Sequence, residues 1–275
     1  MQTYSIVFLD IDGTLLNSQH QIMPQTKQLL NRLEQRGVPI VLCSARSPGG
    51  VDTVARQAGL NSPTVCYSGG LILNPDRSIL RDAGIESGPA IRFKRFVAEH
   101  YPDLVCSAYL YDVWLVDDLD HPAVVREARI SECTPVKGTL ELATQSAPHV
   151  HKLLCIGDSK RILQLQSDAA QQFSELVFVR SGSTYLEVMP QGNSKQAAVE
   201  TLQAYYGLNR EETVACGDSF VDEGMIRYAG LGVAMGNSPA PVKEAADRVT
   251  ASNDEEGIYI ALKNLKFAAP KNRKI

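Results

Sequence analysis

The chain has 275 residues, 44% of them hydrophobic and 21% charged, which is the composition of an ordinary globular protein with room for two domains. Its formal net charge of -4 argues against a nucleic-acid-binding protein, because such proteins usually carry a basic face. No stretch approaches the ~20 apolar residues of a membrane span and no signal peptide is evident, so we expect a cytoplasmic protein without nucleic-acid or membrane partners.

The first part of the chain alternates runs of Val, Ile and Leu with amphipathic stretches. Continuous apolar runs predict strands that are buried on both faces, as in a parallel sheet. Ser47 and Pro48 are typical of a helix start, because serine caps helices and proline suits their first position. This β-α-β-α-β order predicts a parallel, doubly wound sheet. The predicted elements are a strand over residues 4–9, a helix over 24–36, a strand over 38–43, a helix over 48–59 and a strand over 64–67.

The pattern changes after the third strand. Residues 71–73 and 78–80, separated by a turn at 74–77, predict a hairpin. From there to about Gly182, helices are interleaved with strands that alternate more clearly, for example over 107–116 and 150–156. Alternation predicts a sheet with one face covered by helices and the other face more open.

Doubly wound signals resume near Asn193, with a predicted helix over 194–206, a strand over 213–216, a short strand over 232–234 and helices around it. The chain therefore predicts an α/β fold with a doubly wound, parallel, Rossmann-like core sheet and an inserted α+β domain. We assign residues 1–82 and 190–275 to the core domain and residues 83–189 to the inserted domain.

Polar side chains follow the predicted core strands, and the carboxyl ends of parallel strands meet at one crevice. Carboxylates at the end of a buried strand are costly unless a cation compensates them. Lys195 lies in the first turn of its helix, where a cation opposes the macrodipole and therefore favours a nearby anion. The sequence thus predicts a metal-assisted carboxylate site. Its other members are Asp10 and Asp12, Ser44 and Arg46, Ser68, and Asp218 and Asp222.

Each of these residues also has a purely structural interpretation. Asp12-Gly13 is a common turn, and Asp10 could cap a helix or lie on the surface. Residues 219–222 fit a capping box, which would give Asp222 only backbone N–H groups to satisfy. Lys195 on its own would be a solvated surface lysine. Their joint occurrence at strand and helix ends is what favours a catalytic site.

The set resembles the haloacid dehalogenase superfamily of phosphohydrolases. The resemblance rests on Asp-x-Asp-Gly-Thr at 10–14, Ser44 at a strand end, Lys195 at a helix start and Gly-Asp-Ser-x-x-Asp at 217–222. The insertion after the third strand is similar to the large cap of the Cof-type subfamily. The resemblance covers essentially the whole chain and implies a Mg²⁺-dependent phosphatase that acts on a small-molecule phosphate ester.

By this resemblance, Asp10 is the nucleophile that forms an aspartyl-phosphate, and Asp12 is the general acid and later the base. The implied cofactor is Mg²⁺, held by the carboxylates of Asp10 and Asp218 and by the main-chain carbonyl of Asp12, with Asp222 supporting it through water. Lys195 neutralises charge on the nucleophile and on the transferred group. Contacts to phosphate or substrate are implied for Ser44, Ile11, Ala45, Arg46, Ser68 and Gly69.

Two positions depart from the pattern of the family. Val221 stands where the family usually has Asn, and Ser68 stands where Asn usually precedes Gly69. Valine cannot donate a hydrogen bond, so one contact to substrate or phosphate is lost. The substrate types implied are sugar phosphates, pyridoxal phosphate and flavin mononucleotide, and we expect a monomer or homodimer. A phosphomutase and a non-catalytic protein that binds a phosphorylated metabolite stay open as alternatives.

Several residues outside this set have structural interpretations. We expect Tyr109, Tyr111 and Trp114 to fill a core rather than to stack on a ligand, and His149 and His151 to be structural. The cysteines that follow hydrophobic runs should be small buried side chains: Cys43, Cys66, Cys106, Cys155 and Cys216. A basic cluster near the last residue is expected to be solvated: Lys263, Lys266, Lys271, Arg273 and Lys274.

Overall fold

The computed structural model describes residues 2–131 and 133–271, which form two compact units. The first unit runs to Leu80 and resumes at Ser194, whereas the second consists of Arg81–Asn193. Each unit is built around a hydrophobic core of its own. The domain assignment made from the sequence stays a prediction, which an excised second unit would test.

Helices and strands are interspersed along the described residues. Up to Asp82 they are β1 (Thr3–Tyr4), β2 (Ile6–Asp10), α1 (Pro24–Gln35), β3 (Ile40–Cys43), α2 (Pro48–Ala58), β4 (Thr64–Cys66), β5 (Leu71–Leu73) and β6 (Ile79–Asp82). Next come β7 (Ile85–Glu86), α3 (Ser87–His100), β8 (Val105–Leu110), β9 (Val113–Val116), α4 (Pro122–Ser131), β10 (Pro135–Lys137), α5 (Leu140–Ala143), β11 (His149–Val150), β12 (Lys152–Ile156), α6 (Ser159–Gln172), β13 (Leu176–Gly182) and β14 (Tyr185–Pro190). The chain continues with α7 (Lys195–Tyr206), β15 (Thr213–Gly217), α8 (Glu223–Tyr228), β16 (Leu231–Ala234), α9 (Ala240–Ala245), β17 (Arg248–Val249), α10 (Gly257–Leu262) and β18 (Lys266–Phe267).

The main sheet of the first unit has the strand order β17-β16-β15-β2-β3-β4-β5-β6. Pairing is parallel from β17 through β4, and β5 runs antiparallel to β4. From β2 the chain first adds β3 and β4 on one side and later adds β15 and β16 on the other, so β2 lies at the topological switch point. Ligands of doubly wound sheets bind outside the carboxyl ends of the strands at this point, where β2 ends with Asp10. The predicted α/β fold with a parallel core sheet is confirmed.

Helix α7 packs on one face of this sheet and thereby places Lys195. Ala198 and Leu202 of the helix share a buried cluster with Phe8 of β2. Ser194 caps the helix, because its hydroxyl accepts a hydrogen bond from a backbone N–H of the first turn at 3.1 Å. The first residue of the helix is therefore held beside the end of the central strand.

Several predicted boundaries shift for reasons that the backbone explains. The first predicted strand is split, because β1 pairs with β18 in a separate ribbon and only β2 enters the main sheet. Strand β3 begins at Ile40 rather than at Val38, because Pro39 has no N–H and the Val38 N–H donates to the carbonyl of Leu33. Ser47 occupies the N-cap position of α2, but its side chain makes no capping hydrogen bond.

The second unit contains a sheet with the strand order β10-β9-β8-β12-β14-β13. Helices α3 and α6 cover one face, where Phe93 and Leu165 belong to one buried cluster. Residues 107–116 form the hairpin β8–β9 rather than a single strand. The expected open face was wrong for β12, because every residue of this strand is buried. The Tyr185 hydroxyl donates to Glu127 of α4 at 2.8 Å, so α4 lies against the second face.

The expectations for individual buried residues are confirmed except for Tyr111, which is only half-buried because it lies in the turn between β8 and β9. Tyr109 and Trp114 are buried and stack with their ring centroids 5.8 Å apart. The five cysteines expected to be buried are buried. Within the described residues, no helix has the length and apolar character that a membrane span requires. Of the basic cluster, Arg273 and Lys274 lie outside the described residues.

Candidate active site

A buried ion pair lies at the carboxyl end of β2, in which one lysine is shared by two aspartates. Lys195 donates hydrogen bonds to a carboxylate oxygen of Asp10 and, at 2.5 Å, to Oδ1 of Asp222. Lys195 is 2% exposed, Asp10 is 6% exposed and Asp222 is fully buried. Charges removed from water are tolerated when they are paired and hydrogen-bonded, and here one ammonium serves two carboxylates. Three of the residues predicted from the sequence are therefore brought together.

Asp222 has both of the roles considered from the sequence. Its Oδ2 accepts hydrogen bonds from the Ser219 N–H at 2.9 Å, from the Ser219 hydroxyl at 2.7 Å and from the Asp218 N–H at 3.2 Å. The bond from the Ser219 N–H belongs to the predicted capping box, whose other half joins the Ser219 side chain to the backbone of Asp222. Oδ1 is left to accept from Lys195. The capping box thus fixes the carboxylate that holds the lysine, and Ser219, the first residue of that box, also donates its hydroxyl to this carboxylate.

Asp218 lies at the start of the turn after β15 and contacts the turn that follows β2. The Thr14 hydroxyl donates to Asp218 Oδ1 at 2.7 Å. Gly13 has a φ of 83°, and a Cβ at this position would lie 2.4 Å from Asp218 Oδ2. Only glycine fits both the backbone conformation and the close approach. Sequence reasoning gave Thr14 no role of its own, although its place in the Asp-x-Asp-Gly-Thr motif was the available signal.

The electrostatics of the cluster favour a further cation. Burial raises the pKa of Asp10, Lys195 opposes this shift, and Asp222 and Asp218 add to it. Burial also raises the pKa of Asp218, against the hydrogen bond from Thr14. Burial alone would lower the pKa of Lys195, but the carboxylates of Asp10 and Asp222 outweigh it and raise that pKa. Lys195 is therefore charged, and its single charge does not balance three carboxylates.

The donor atoms of the cluster match a small divalent cation. One carboxylate oxygen from each of Asp10, Asp218 and Asp222 lies within 4.8 Å of the other two. Donor sets made only of oxygen suit Mg²⁺, which uses few carboxylates and keeps several waters. The carboxylate of Asp12 is not part of this group. Asp12 can therefore bind the ion only through its main-chain carbonyl, which is the ligand that the family resemblance implies. The residues present therefore fit the ion.

Asp12 instead forms a forked ion pair with Arg46. The guanidinium donates from Nε to Oδ2 at 2.9 Å and from Nη2 to Oδ1 at 2.6 Å. The side chains of Arg46 and Asp12 are 35% and 50% exposed. Ion pairs with this exposure contribute about 0–1 kcal/mol, and the forked geometry places this pair at the upper end of that range. A phosphate can therefore compete with Asp12 for the guanidinium, as the expected substrate contact of Arg46 requires.

Ser44 lies beside Asp10 in the sheet, because β2 and β3 pair with Asp10 opposite Cys43. Ser44 is 2% exposed, and its hydroxyl accepts a hydrogen bond from a backbone N–H two residues further on at 3.2 Å. Ile11 is buried and Ala45 is half-buried in the turns after the same two strands. The groups predicted to bind phosphate therefore follow neighbouring strands.

The turn after β4 has an unusual backbone. Tyr67 and Ser68 have φ values of 52° and 53°, and Gly69 has a φ of 103°. A Cβ on Gly69 would lie 2.4 Å from the carbonyl oxygen of Ser194, the residue that precedes Lys195. Left-handed conformations of non-glycine residues are costly and recur at functional sites. The turn therefore lies against the start of α7, where Ser194 immediately precedes the buried Lys195.

A sequence profile described as haloacid dehalogenase-like hydrolase matches residues 7–262. The chain belongs to this family. A Haemophilus influenzae protein provisionally named a phosphatase is 36% identical over 259 residues, which are 94% of this chain and 97% of that protein. A 5-amino-6-(5-phospho-D-ribitylamino)uracil phosphatase of Bacillus subtilis is 26% identical over 275 residues, which cover 92% of this chain and 94% of the relative.

A similar architecture has been solved by crystallography. A haloacid dehalogenase-like hydrolase from Bacteroides thetaiotaomicron is 28% identical and has a TM-score of 0.86, with 95% of this chain and 99% of that chain covered. The resemblance inferred from the motifs is thereby confirmed, together with the fold. The enzyme class, a phosphoric monoester hydrolase, is confirmed by the names of the relatives.

Proposed function

We propose that this protein is a Mg²⁺-dependent phosphatase that hydrolyses a small phosphorylated metabolite through an aspartyl-phosphate on Asp10. The observation that carries the proposal is the buried ion pair of Lys195 with Asp10 and Asp222, next to Asp218, at the switch point of the sheet. The phosphorylated ribityl group named for the Bacillus subtilis relative supports a sugar phosphate or a similar ester as the substrate class. A cytoplasmic location and a monomeric or homodimeric state belong to the same proposal.

The proposed chemistry divides one hydrolysis into two displacements. A carboxylate oxygen of Asp10 attacks phosphorus, and Asp12 donates a proton to the leaving oxygen. Asp12 then removes a proton from the water that attacks the aspartyl-phosphate, which restores the carboxylate and releases phosphate. Lys195 neutralises charge that would otherwise repel the substrate. Arg46 would exchange its partner Asp12 for a substrate oxygen, which frees the Asp12 side chain to transfer protons.

The binding roles follow the positions of the turns. Mg²⁺ would be held by the carboxylates of Asp10 and Asp218 and by the main-chain carbonyl of Asp12, with Asp222 acting through water. When bound, the ion would supply the positive charge that lets an anionic nucleophile approach an anionic phosphate. The residues proposed to hold the phosphoryl group or the substrate are Ser44, Ile11, Ala45, Arg46, Ser68 and Gly69.

The test compares the native protein with Asp10→Asn on p-nitrophenyl phosphate and on a panel of sugar, pyridoxal and flavin phosphates, with Mg²⁺ or with EDTA. Asparagine cannot serve as the carboxylate nucleophile, so we expect kcat to fall by about a thousandfold or more. Asp52→Asn makes the same chemical change in α2, where Asp52 pairs with Arg77, and should leave kcat unchanged. Unaltered turnover in Asp10→Asn would refute the assignment of the nucleophile.

The same measurements separate the alternatives. A phosphomutase would return an isomerised phosphate ester instead of inorganic phosphate. A non-catalytic protein would bind one ester of the panel without any turnover. Val221 favours that alternative because it cannot donate a hydrogen bond, but the residue is 48% exposed and lies outside the buried ion pair.

A further inference from the structure

We propose that Asn237 is a positioning residue for the metal site, because it braces the two turns that carry the proposed Mg²⁺ ligands. Asn237 lies in the segment after β16, outside every motif recognised in the sequence. Its Nδ2 donates a hydrogen bond to the carbonyl oxygen of Gly13 at 2.8 Å. Gly13 directly follows Asp12, whose own carbonyl is one of the proposed ligands. This inference rests on the proposed function.

The orientation of the Asn237 amide follows from its second contact. The backbone N–H of Asn253 donates to Asn237 Oδ1 at 3.2 Å, so the oxygen faces Asn253 and the NH₂ group faces Gly13. The reverse orientation would place a carbonyl oxygen against a carbonyl oxygen and an NH₂ group against an N–H. The donor to Gly13 is therefore fixed, although the Asn237 side chain lies on the surface.

The same segment also holds the second ligand-bearing turn. Met235 donates its N–H to the carbonyl oxygen of Gly217 at 3.0 Å, and Gly217 precedes Asp218. Residues 235–237 thus hydrogen-bond to the carbonyl directly after Asp12 and to the carbonyl directly before Asp218. The two turns already touch, because Gly13 lies against the carboxylate of Asp218. A brace between them sets the distance between the Asp12 carbonyl and the Asp218 carboxylate.

The brace is itself anchored. Gly236 donates its N–H to the carbonyl of Ala251 at 2.9 Å, and a Cβ on Gly236 would lie 2.7 Å from the nitrogen of Ser252. The Asn253 side chain makes an independent contact, donating from Nδ2 to the carbonyl of Leu16 at 2.9 Å. This contact holds the same turn as Asn237 does, but three residues beyond Gly13. Asn253→Ala is therefore a matched control, since it removes one amide-to-carbonyl hydrogen bond and keeps the Asn253 N–H.

The experiment measures Mg²⁺ binding by calorimetric titration of the substrate-free protein with MgCl₂. Groups that orient metal ligands typically contribute about 10–100-fold in affinity, so we expect Asn237→Ala to raise the Kd for Mg²⁺ about tenfold. Asn253→Ala should stay within about twofold of the native Kd, because a contact remote from the ligands carries little of this effect. Asn237→Asp adds a negative charge near the cation and yet should bind Mg²⁺ more weakly than the native protein, because it loses the donor to Gly13.

A second readout separates positioning from general damage. In EDTA, the unfolding temperature of Asn237→Ala should match that of Asn253→Ala, whereas the rise produced by Mg²⁺ should be smaller. In turnover assays, the Mg²⁺ concentration for half-maximal activity should rise while kcat at saturating Mg²⁺ changes little. The brace is refuted if Asn237→Ala binds Mg²⁺ like the native protein, or if Asn253→Ala is weakened equally. Asp218→Asn distinguishes the two proposals, because native-like Mg²⁺ binding by that variant would overturn the metal site itself.

Discussion

At the scale of single residues, the site depends on close approaches that tolerate no extra atom. A Cβ on Gly69 would lie 2.4 Å from the carbonyl oxygen of Ser194, and a Cβ on Gly13 would lie 2.4 Å from Asp218 Oδ2. Both glycines also have a positive φ. The turn after β2 can therefore reach the end of β15, and the turn after β4 can reach the start of α7, only because these positions lack side chains.

Gly69→Ala tests this close approach through stability. The added Cβ would meet the carbonyl oxygen of Ser194 at 2.4 Å, so the turn or the start of α7 must move. We expect a loss of about 2–4 kcal/mol in the free energy of unfolding, from backbone strain together with the steric contact. The measurement is urea-induced unfolding followed by circular dichroism.

Gly192→Ala is the matched control for that change. Gly192 has a comparable φ of 86°, but a Cβ there would have nothing within 4 Å. This variant should lose only the free energy that backbone strain costs, about 1–2 kcal/mol. Equal losses for Gly69→Ala and Gly192→Ala would show that the contact with Ser194 contributes nothing.

At the scale of elements, a buried histidine connects the turn of the β8–β9 hairpin to Asp82 within the second unit. Tyr111 in the turn donates its N–H to His151 Nδ1 at 3.1 Å and its hydroxyl to Asp82 Oδ2 at 2.6 Å. His151 Nε2 and His149 Nδ1 lie 3.2 Å and 2.9 Å from Asp82 Oδ1. Because Nδ1 of His151 accepts a hydrogen bond, its proton is on Nε2 and the ring is neutral. The structural interpretation of the two histidines agrees with these contacts.

This arrangement predicts a loss of stability in mild acid. Burial lowers the pKa of His151 below its ordinary value of 6.5, although Asp82 opposes the shift. Well above pH 6.5 the histidine is neutral in both the folded and the unfolded chain, so its contribution to the free energy of unfolding is complete. As the pH falls below that value, the unfolded chain binds the proton more readily, and the free energy of unfolding decreases by up to about 1.4 kcal/mol per pH unit. Urea unfolding at a series of pH values between about 7.5 and 5 measures this slope.

His151→Asn isolates the histidine from other titrating groups. Asparagine offers an oxygen near the position of Nδ1, so it can still accept from Tyr111, but it does not titrate. Its stability should therefore depend less steeply on pH over the same range than that of the native protein. Parallel slopes for the two proteins would assign the acid sensitivity to other residues.

At the scale of the whole molecule, the chain consists of one unit inserted into another. The second unit, Arg81–Asn193, is continuous in sequence, and its two ends are joined. The Asn193 side chain donates to the carbonyl of Ala83 and accepts from Arg81 at 3.2 Å. A continuous segment with its own core and neighbouring ends meets the usual conditions for independent folding.

We therefore expect residues 81–193 to fold when they are expressed alone, with a cooperative thermal transition and the circular dichroism of a mixed α/β domain. Phe93 is fully buried in the core of this unit, so Phe93→Ala should cost about 3–5 kcal/mol in the excised segment. The same variant should cost a similar amount in the full chain. An excised segment without a cooperative transition would contradict the domain assignment.

Much of the core fold was predictable because its signals are local. The apolar runs that become β2, β3 and β15 predicted that these strands are buried. The predicted helix start at residue 194 agrees with Ser194 as the N-cap of α7. The second unit was harder to predict. Alternation along β12 indicated an open face, but α4 covers that face through contacts such as Tyr185 with Glu127, which no local pattern reports.

The sequence by itself determined the family, the parallel core and the residues that follow its strands. This is because local runs of apolar residues predict which strands are buried, and their order along the chain predicts how the strands are connected. The tertiary structure alone decided which of these side chains meet: Asp222 with Lys195, Asp12 with Arg46, and Asn237 with Gly13. Each of these contacts joins segments that are far apart in the chain. Their geometry depends on how turns and helices pack around the sheet, and the periodicity of any one segment carries no information about that packing.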